Sequence, residues 1–274
     1  MKTIDRPVAV VGAPAAYARK LFTRGTDFFD APELKLTYGM DLDPTVVLPF
    51  SEAELAQARK LGQVLVRFTS KTKDGAPMTM KGIHDQFGNQ LSEDDKLMYD
   101  TDWYQGEKFF TDETPADGFK LVTRQVIPDS TDEDYLGQTA IIADYVRDEI
   151  YEGQELPAEY AQAIEEFEAE RERLQKLVNK DWQEGAKQSA ELKLNQLFRP
   201  TPVELTYCAP LFYRINQEFL LPGKYAWTKV RSSSGCLVRV GYGDSEGVRV
   251  GSDDPGSSLS YLGVVVSRSP IAKS

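Results

Sequence analysis

Few side chains in this chain could carry out a reaction. The one histidine, His84, stands next to Asp85, and a carboxylate can hold an imidazole in the tautomer a general base needs. A lone histidine cannot found a histidine-rich metal site, so His84 reads as a structural or surface residue. Cys208 and Cys236 are the two cysteines. They could close one disulfide, but two thiols in 274 residues read as buried or incidental. Residues 92–103 are rich in carboxylates without the Asp-x-Asp-x-Asp-Gly…Glu order of a calcium loop, and Asp253-Asp254 in a turn makes a poor cage. Gly241-x-Gly243-x-x-x-Gly247 has the glycine content of a phosphate loop, but that chemistry needs a helix N-terminus behind it, and a strand is expected there. Gly12 alone is far from a dinucleotide fingerprint. No catalytic set, metal site or cofactor is expected.

The elements around these residues point to recognition instead. Residues 231–261 hold eight Ser and six Gly in 31 positions, yet Val, Leu and Tyr keep returning, and a disordered linker would lack such an apolar ladder. Strands are expected at about residues 236–242, 247–251 and 261–267, with Gly243-Asp244-Ser245-Glu246 as a hairpin turn. Val238, Val240, Val248, Val250, Val264, Val265 and Val266 can pin these strands to a core. Arg239 and Arg249 have the opposite parity, so they point to the other face and can change without repacking.

Upstream, five prolines punctuate residues 1–50, and residues 8–21 read as a strand, a glycine turn and a short helix. Ser51-Glu52-Ala53-Glu54 is a capping box that opens a helix stopped by Gly62, and residues 62–70 alternate as a strand. Trp103-Tyr104 and Phe109-Phe110 read as aromatic core, followed by a strand ending at Pro128. A second capping box, Ser130 to Glu133, opens a helix whose Leu136, Ala140, Ile141 and Tyr145 line one face. Pro157 reads as a first helical position. Ile164, Phe167, Leu174 and Val178 form a packing stripe on the next helix, and two helices this long could also dimerise. That helix kinks or ends at Trp182 and Gly185, and a third helix runs to Phe198. Thr201 is an N-cap, Pro202 fills the first helical position and Glu204 closes the box. Leu205, Ala209 and Phe212 face inward, and Pro210 is expected to kink or end the helix.

The net charge is −11, and 41% of residues are hydrophobic. Before Arg199 there are 23 Lys/Arg against 37 Asp/Glu, and from Arg199 onward nine against six. The overall sign disfavours nucleic acid and anionic membranes as partners, and the acidity belongs to the front of the chain. No apolar run is long enough for a membrane span. The N-terminal apolar patch is too short and too broken for a signal peptide, so a cytoplasmic location is expected, with surface display as the alternative.

The run Arg199-Pro200-Thr201-Pro202-Val203-Glu204, followed by Tyr207, resembles the Arg-Leu-Pro-Thr-x-x-Glu-Trp-Glu helix start of the C-type-lectin-like fold, in the branch shared with formylglycine-generating enzymes. It keeps Pro-Thr-x-x-Glu and lacks the Trp. Trp227-Thr228, Gly235-x-Leu237-Val238-x-Val240-Gly241 and Leu262-Gly263-Val264…Ser267-Arg268 resemble more narrowly the variable proteins of diversity-generating retroelements. Leu48-Pro49-Phe50-Ser51 and residues 103–128 and 181–204 join that likeness. The resemblance implies an α+β protein: a C-type-lectin-like fold with a small twisted antiparallel sheet and flanking helices, plus N-terminal α+β and helical additions. Residues 1–96 would form the N-terminal region. Residues 97–274 would form the C-type-lectin-like domain, with a helical insertion at about 130–198 and a variable region at about 225–268.

In that family a reverse transcriptase with an adenine-infidelity step rewrites chosen codons, acting on the gene rather than binding the protein. The resemblance implies a variable face of Ser232, Ser234, Cys236, Arg239, Tyr242, Gly243, Ser245, Arg249, Ser252, Asp253, Ser258, Ser260 and Tyr261. It implies a scaffold that includes Thr201, Glu204, Trp227, Gly235, Gly241, Gly263 and Arg268. The expected function is non-catalytic binding of a ligand, in all expectation a protein. Two alternatives stand beside it: an interaction protein acting through its acidic helices, and a formylglycine-generating type of oxidase using Cys208 and Cys236.

Overall fold

The computed structural model describes residues 15–43 and 48–270. The strand and turn expected from residues 8–14 lie outside the described residues, and the short helix expected after them is α1 (Ala15–Leu21). Next come β1 (Phe28–Phe29), α2 (Ala31–Tyr38), α3 (Glu52–Lys60), β2 (Gln63–Phe68), α4 (Met80–Phe87), α5 (Lys108–Thr111) and β3 (Gly118–Thr123). A helical block follows: α6 (Tyr135–Asp144), a π-helix (Tyr145–Ile150), α7 (Ala158–Lys180), α8 (Trp182–Glu191) and α9 (Lys193–Phe198). Then come α10 (Pro202–Asn216), β4 (Tyr225–Arg231), β5 (Leu237–Gly241), β6 (Arg249–Asp253), β7 (Leu262–Gly263) and β8 (Ser267–Arg268). The molecule is thus mixed α+β, with two four-stranded sheets ordered β1-β2-β3-β8 and β6-β5-β4-β7.

Two of the expected capping boxes form. Ser51 Oγ accepts from Glu54 N–H (3.2 Å) while Glu54 accepts from Ser51 N–H (2.8 Å). At α10, Thr201 Oγ1 accepts from Glu204 N–H (3.3 Å) and Glu204 accepts from Thr201 N–H (3.2 Å). The other oxygen of Glu204 pairs with Lys120 of β3, both groups being buried, so one carboxylate caps the helix and ties it to the first sheet. Pro210 does not end α10, which runs on to Asn216. Every residue from Pro202 to Tyr213 is buried, and packing on all sides holds the helix across the one missing N–H.

The box expected at Ser130 does not form. Ser130 Oγ donates to Ile127 C=O (2.5 Å) and accepts from Val264 N–H (2.9 Å), so it is committed elsewhere, and Asp134 caps α6 by accepting from Gly137 N–H (2.7 Å). Leu136 is buried, but Ala140, Ile141 and Tyr145 are only partly covered; Gln138, Thr139 and Ile142 occupy the inward face instead. Pro157 sits one residue earlier than expected, as the N-cap of α7. The stripe of Ile164, Phe167, Leu174 and Val178 is buried. A Cβ at Gly185 would lie 2.8 Å from Val178 Cα, so glycine lets α8 fold back against α7. The third expected helix is divided into α8 and α9 at Leu192.

The strand expected at residues 261–267 is two short strands in different sheets. β7 pairs in parallel with β4, and β8 pairs antiparallel with β3. Between them Val264, Val265 and Val266 are buried, with Ile127 and Thr123 donating to the carbonyls of Val264 (2.8 Å) and Val266 (2.9 Å). This crossover joins the two sheets. The largest core cluster draws on Phe29, Val64, Met98, Phe110, Tyr207, Val240 and Val265 alike, and β2 is paired along its whole length with β3. Among the described residues, no helix is long and apolar enough to cross a membrane.

Candidate functional site

The second sheet has two unlike faces. Ala226, Val238, Val240 and Val250 enter the main core. The register sets Tyr225 opposite Gly241, Trp227 opposite Arg239, Arg239 opposite Gly251 and Leu237 opposite Asp253, and residues directly opposite share a face. The other face therefore carries Tyr225, Trp227, Leu237, Arg239, Arg249, Gly251 and Asp253. Ala186 and Ala190 of α8, with Tyr135, cover Trp227 and Leu237. What remains open is Tyr225, Arg239, Arg249, Gly251 and Asp253.

Aromatic side chains extend that open part into a stripe. The Arg239 guanidinium lies 4.1 Å from the Tyr225 ring centroid and 5.7 Å from that of Tyr261. Arg249 lies 5.0 Å from the Tyr242 ring and 4.6 Å from that of Tyr99. Tyr225 contacts both Tyr242 (5.4 Å) and Tyr261 (5.9 Å). Each arginine also has a carboxylate: Arg239 pairs with Asp253, and Arg249 with Asp244 (2.6 Å). Gly251 is what admits Arg239 to the sheet surface, since a Cβ there would lie 3.0 Å from its Cζ. Burial raises the Tyr225 phenol, with Arg239 opposing, so it stays neutral and able to donate.

Tyr99 and Trp103 are 50% and 43% exposed, and they come from a loop that the sequence reads as solvated acid and core aromatics. Trp103 is not core; its indole N–H donates to Val250 C=O (3.2 Å). Tyr104, Phe109 and Phe110 are buried. The loop is aligned by backbone pairing: Lys96 N–H donates to Ser245 C=O (2.9 Å) and Tyr99 N–H to Val248 C=O (3.1 Å). Tyr225, Tyr99 and Trp103 were thus absent from the expected site, and only the long-range pairing of Met98 with Val248 brings the latter two to it.

The expected variable residues do not all share one place. Arg239, Tyr242, Arg249, Asp253 and Tyr261 meet on the stripe. Ser234 and Cys236 lie at the β4–β5 turn with Ser232, which is buried: its N–H donates to Cys236 C=O (2.8 Å) and its hydroxyl bonds that of Ser234 (2.8 Å). Ser258 and Ser260 are exposed in the loop before Tyr261. Ser245 is exposed in the β5–β6 turn. Ser252 pairs with Val238, so it shares the parity of the core-facing valines. Gly243 is buried, and a Cβ there would lie 2.6 Å from Leu220 C=O; the position has no room for a side chain.

The same crowding accounts for the glycine spacing. A Cβ at Gly241 would collide with Lys224 C=O, and one at Gly247 would lie 2.5 Å from Met98 C. These glycines let the turn press against its neighbours. Gly263 is similarly close to Ser130 Oγ (2.9 Å), and Gly235 takes φ 91° in the β4–β5 turn. Trp227 and Arg268 are buried, the latter beside Glu54 at 3.6 Å.

The remaining candidates for chemistry stay apart from this face. His84 Nδ1 lies 3.2 Å from Asp85 Oδ1, and Asp85 is held below the usual carboxylate range first by a hydrogen bond from Lys81. Cys208 and Cys236 are both free thiols; Cys208 is buried in α10, where burial pushes its pKa far up. Asp254 accepts from Gly256 N–H (2.9 Å) and the Ser257 hydroxyl (3.2 Å), a local turn. Among the described residues, no group of three or more His, Cys, Asp or Glu is placed to hold a metal ion.

Stacked, ion-paired arginines among tyrosines and a tryptophan have the composition of interface hot spots. Tyrosine adds contact area at low entropic cost. Comparison of the chain with protein-family models, with curated proteins and with solved structures found no match.

Proposed function

We propose that this is a non-catalytic binding protein, with a protein as its ligand, and that the open face of the β4–β5–β6 sheet is its recognition surface. The observation that carries this reading is the continuous stripe Tyr99–Arg249–Tyr242–Tyr225–Arg239–Tyr261. Its side chains are already stacked and ion-paired, so little ordering entropy is lost on binding. The sheet's opposite face is held by valines in the main core, so the exposed residues can be replaced without disturbing it.

The further reading is a C-type-lectin-like variable protein of a diversity-generating retroelement. It is supported by the Thr201–Glu204 cap leading into α10 and then into this sheet, and by the exposure of Ser234, Tyr242, Ser245, Ser258, Ser260 and Tyr261. On this reading Ser232 and Gly243 belong to the frame. The ligand binds in the cytoplasm, and reverse transcription alters the gene alone.

The test is quantitative co-purification from cells of the source organism. Wild type is compared with a Tyr242→Ser/Arg249→Ser/Tyr261→Ser variant and with a Glu165→Gln/Glu172→Gln variant on α7. A protein retained by wild type and by the α7 variant, but lost with the sheet variant, is the expected result. Loss only with the α7 variant would transfer binding to the acidic helices and contradict the reading.

A further inference from the structure

The aromatic–arginine face has more cations than carboxylates. Arg239 and Arg249 each meet an aspartate, Asp253 and Asp244, and Lys224 adds a further positive charge at the Tyr261 end. Lys224 is held there by the backbone: its Nζ donates to Ser260 C=O (2.7 Å), and its C=O accepts from Tyr242 N–H (2.6 Å). Tyr225 N–H donates to Tyr261 C=O (2.7 Å). Among the described residues, Lys224 makes no ion pair. Asp254, the next acid along the chain, is taken up in its own turn by Gly256 N–H and the Ser257 hydroxyl.

The two arginines differ in what they have left to give. Arg249 Nη1 is shared between Tyr242 C=O (3.1 Å) and Asp244 Oδ2 (2.6 Å). Arg239 donates to Asp253 through Nε, and among the described residues its buried Nη1 has no hydrogen-bond partner. A covered donor without an acceptor is costly, and at a recognition face the acceptor is one that a ligand can bring. Lys224 keeps two more N–H donors beyond the one on Ser260. Tyr261 adjoins both groups, through Ser260 on one side and the 5.7 Å contact with Arg239 on the other. The wider charge has the same sense: nine Lys/Arg against six Asp/Glu from Arg199 onward, in a chain that is otherwise acidic.

We infer that the protein segment received here presents a carboxylate, an Asp or Glu side chain, which docks beside Tyr261 between Lys224 and Arg239. The inference rests on the sheet face being the recognition surface and names what that surface takes. The carboxylate accepts charge-assisted hydrogen bonds from the ammonium of Lys224 and the amino groups of Arg239. The acidic front of the chain repels the same group, so an acidic ligand is steered to this end of the molecule.

NMR titration of the full chain at low ionic strength tests this, with N-acetylglutamic acid α-amide as the probe and N-acetylglutamine amide as its uncharged isostere. The glutamate probe is expected to shift the Arg239 Nε–H and Tyr261 ring resonances saturably, and to bind about tenfold or more tighter than the glutamine probe. Lys224→Gln should weaken it by about three- to fivefold at an unchanged melting temperature. Arg239→Gln, followed on the Tyr261 ring, should abolish the selectivity for glutamate. Lys176→Gln makes the same charge change on exposed α7 and should leave the affinity intact. Equal affinity for the two probes, an equal loss in Lys176→Gln and Lys224→Gln, or no saturable shift with the glutamate probe would each overturn the inference, while leaving the co-purification result on the sheet face to stand or fall by itself.

Discussion

Arg239 is clasped between a ring and a carboxylate: its guanidinium stacks 4.1 Å from the Tyr225 centroid and pairs with Asp253 of the neighbouring strand on the same face. The bare backbone of Gly251 beneath it makes this position accessible. A side chain that would otherwise sample many rotamers is thereby fixed before any ligand arrives. Loss of that order should be visible without knowing the ligand.

Gly251→Ala places a methyl group 3.0 Å from Arg239 Cζ and should lift the guanidinium off Tyr225. Because Gly251 does not use positive φ, the backbone tolerates alanine, and the stability change should stay within about 1 kcal/mol. The Arg239 Nε–H resonance should lose its ring-current shift. An unshifted resonance would mean that the stack does not exist in solution.

Among the described residues, the buried Arg199 has no carboxylate partner. It donates to Asn195 Oδ1 (2.8 Å) and Tyr135 C=O (3.1 Å) and lies 4.0 Å from the Tyr135 ring centroid. Lysine cannot reproduce the planar fork or the stack. Arg199→Lys should therefore cost about 2 kcal/mol, read as a lower denaturation midpoint at constant slope. A change below about 0.5 kcal/mol would show that the network contributes packing alone.

Glu113 is half-buried, and desolvation raises its carboxyl above 4.5, with Lys229 opposing. The folded state then holds a proton that the unfolded chain has released, so wild type loses stability as pH rises from about 4.5 toward the raised value. Glu113→Gln removes that loss. The two proteins should melt alike at low pH, and the variant should melt higher near neutrality. A gap that instead widens on acidification would reverse the sign.

The legible parts of the fold were those set by local rules. Strand parity alone assigned Val238 and Val240 to the core and Arg239 to the other face, and Ser51 and Thr201 announced their helices through hydrogen bonds three residues long. What stayed hidden depended on distant partners. Trp103 joins the site by bonding Val250, 147 positions away. The run Val264-Val265-Val266 has no alternation, so nothing in it reveals that the chain changes sheets there. Pro210 breaks a local rule that burial of α10 from Pro202 to Tyr213 overrides, and the stripe at Ala140, Ile141 and Tyr145 has helical spacing but lies at the rim of the helical core, where it is only partly covered.

The proposed fixed frame with exchangeable contacts would leave its mark in natural variation, which sequencing of the coding region for residues 225–268 in many isolates reads out. The predicted result is amino-acid variation concentrated at Tyr242, Ser245, Arg249, Asp253, Ser258 and Tyr261, with Val238, Val240, Trp227, Gly241, Gly243 and Gly263 constant. A near-copy of this region should lie beside a reverse-transcriptase gene. Uniform sequences at the exposed positions, or changes spread equally into the buried valines and glycines, would contradict it.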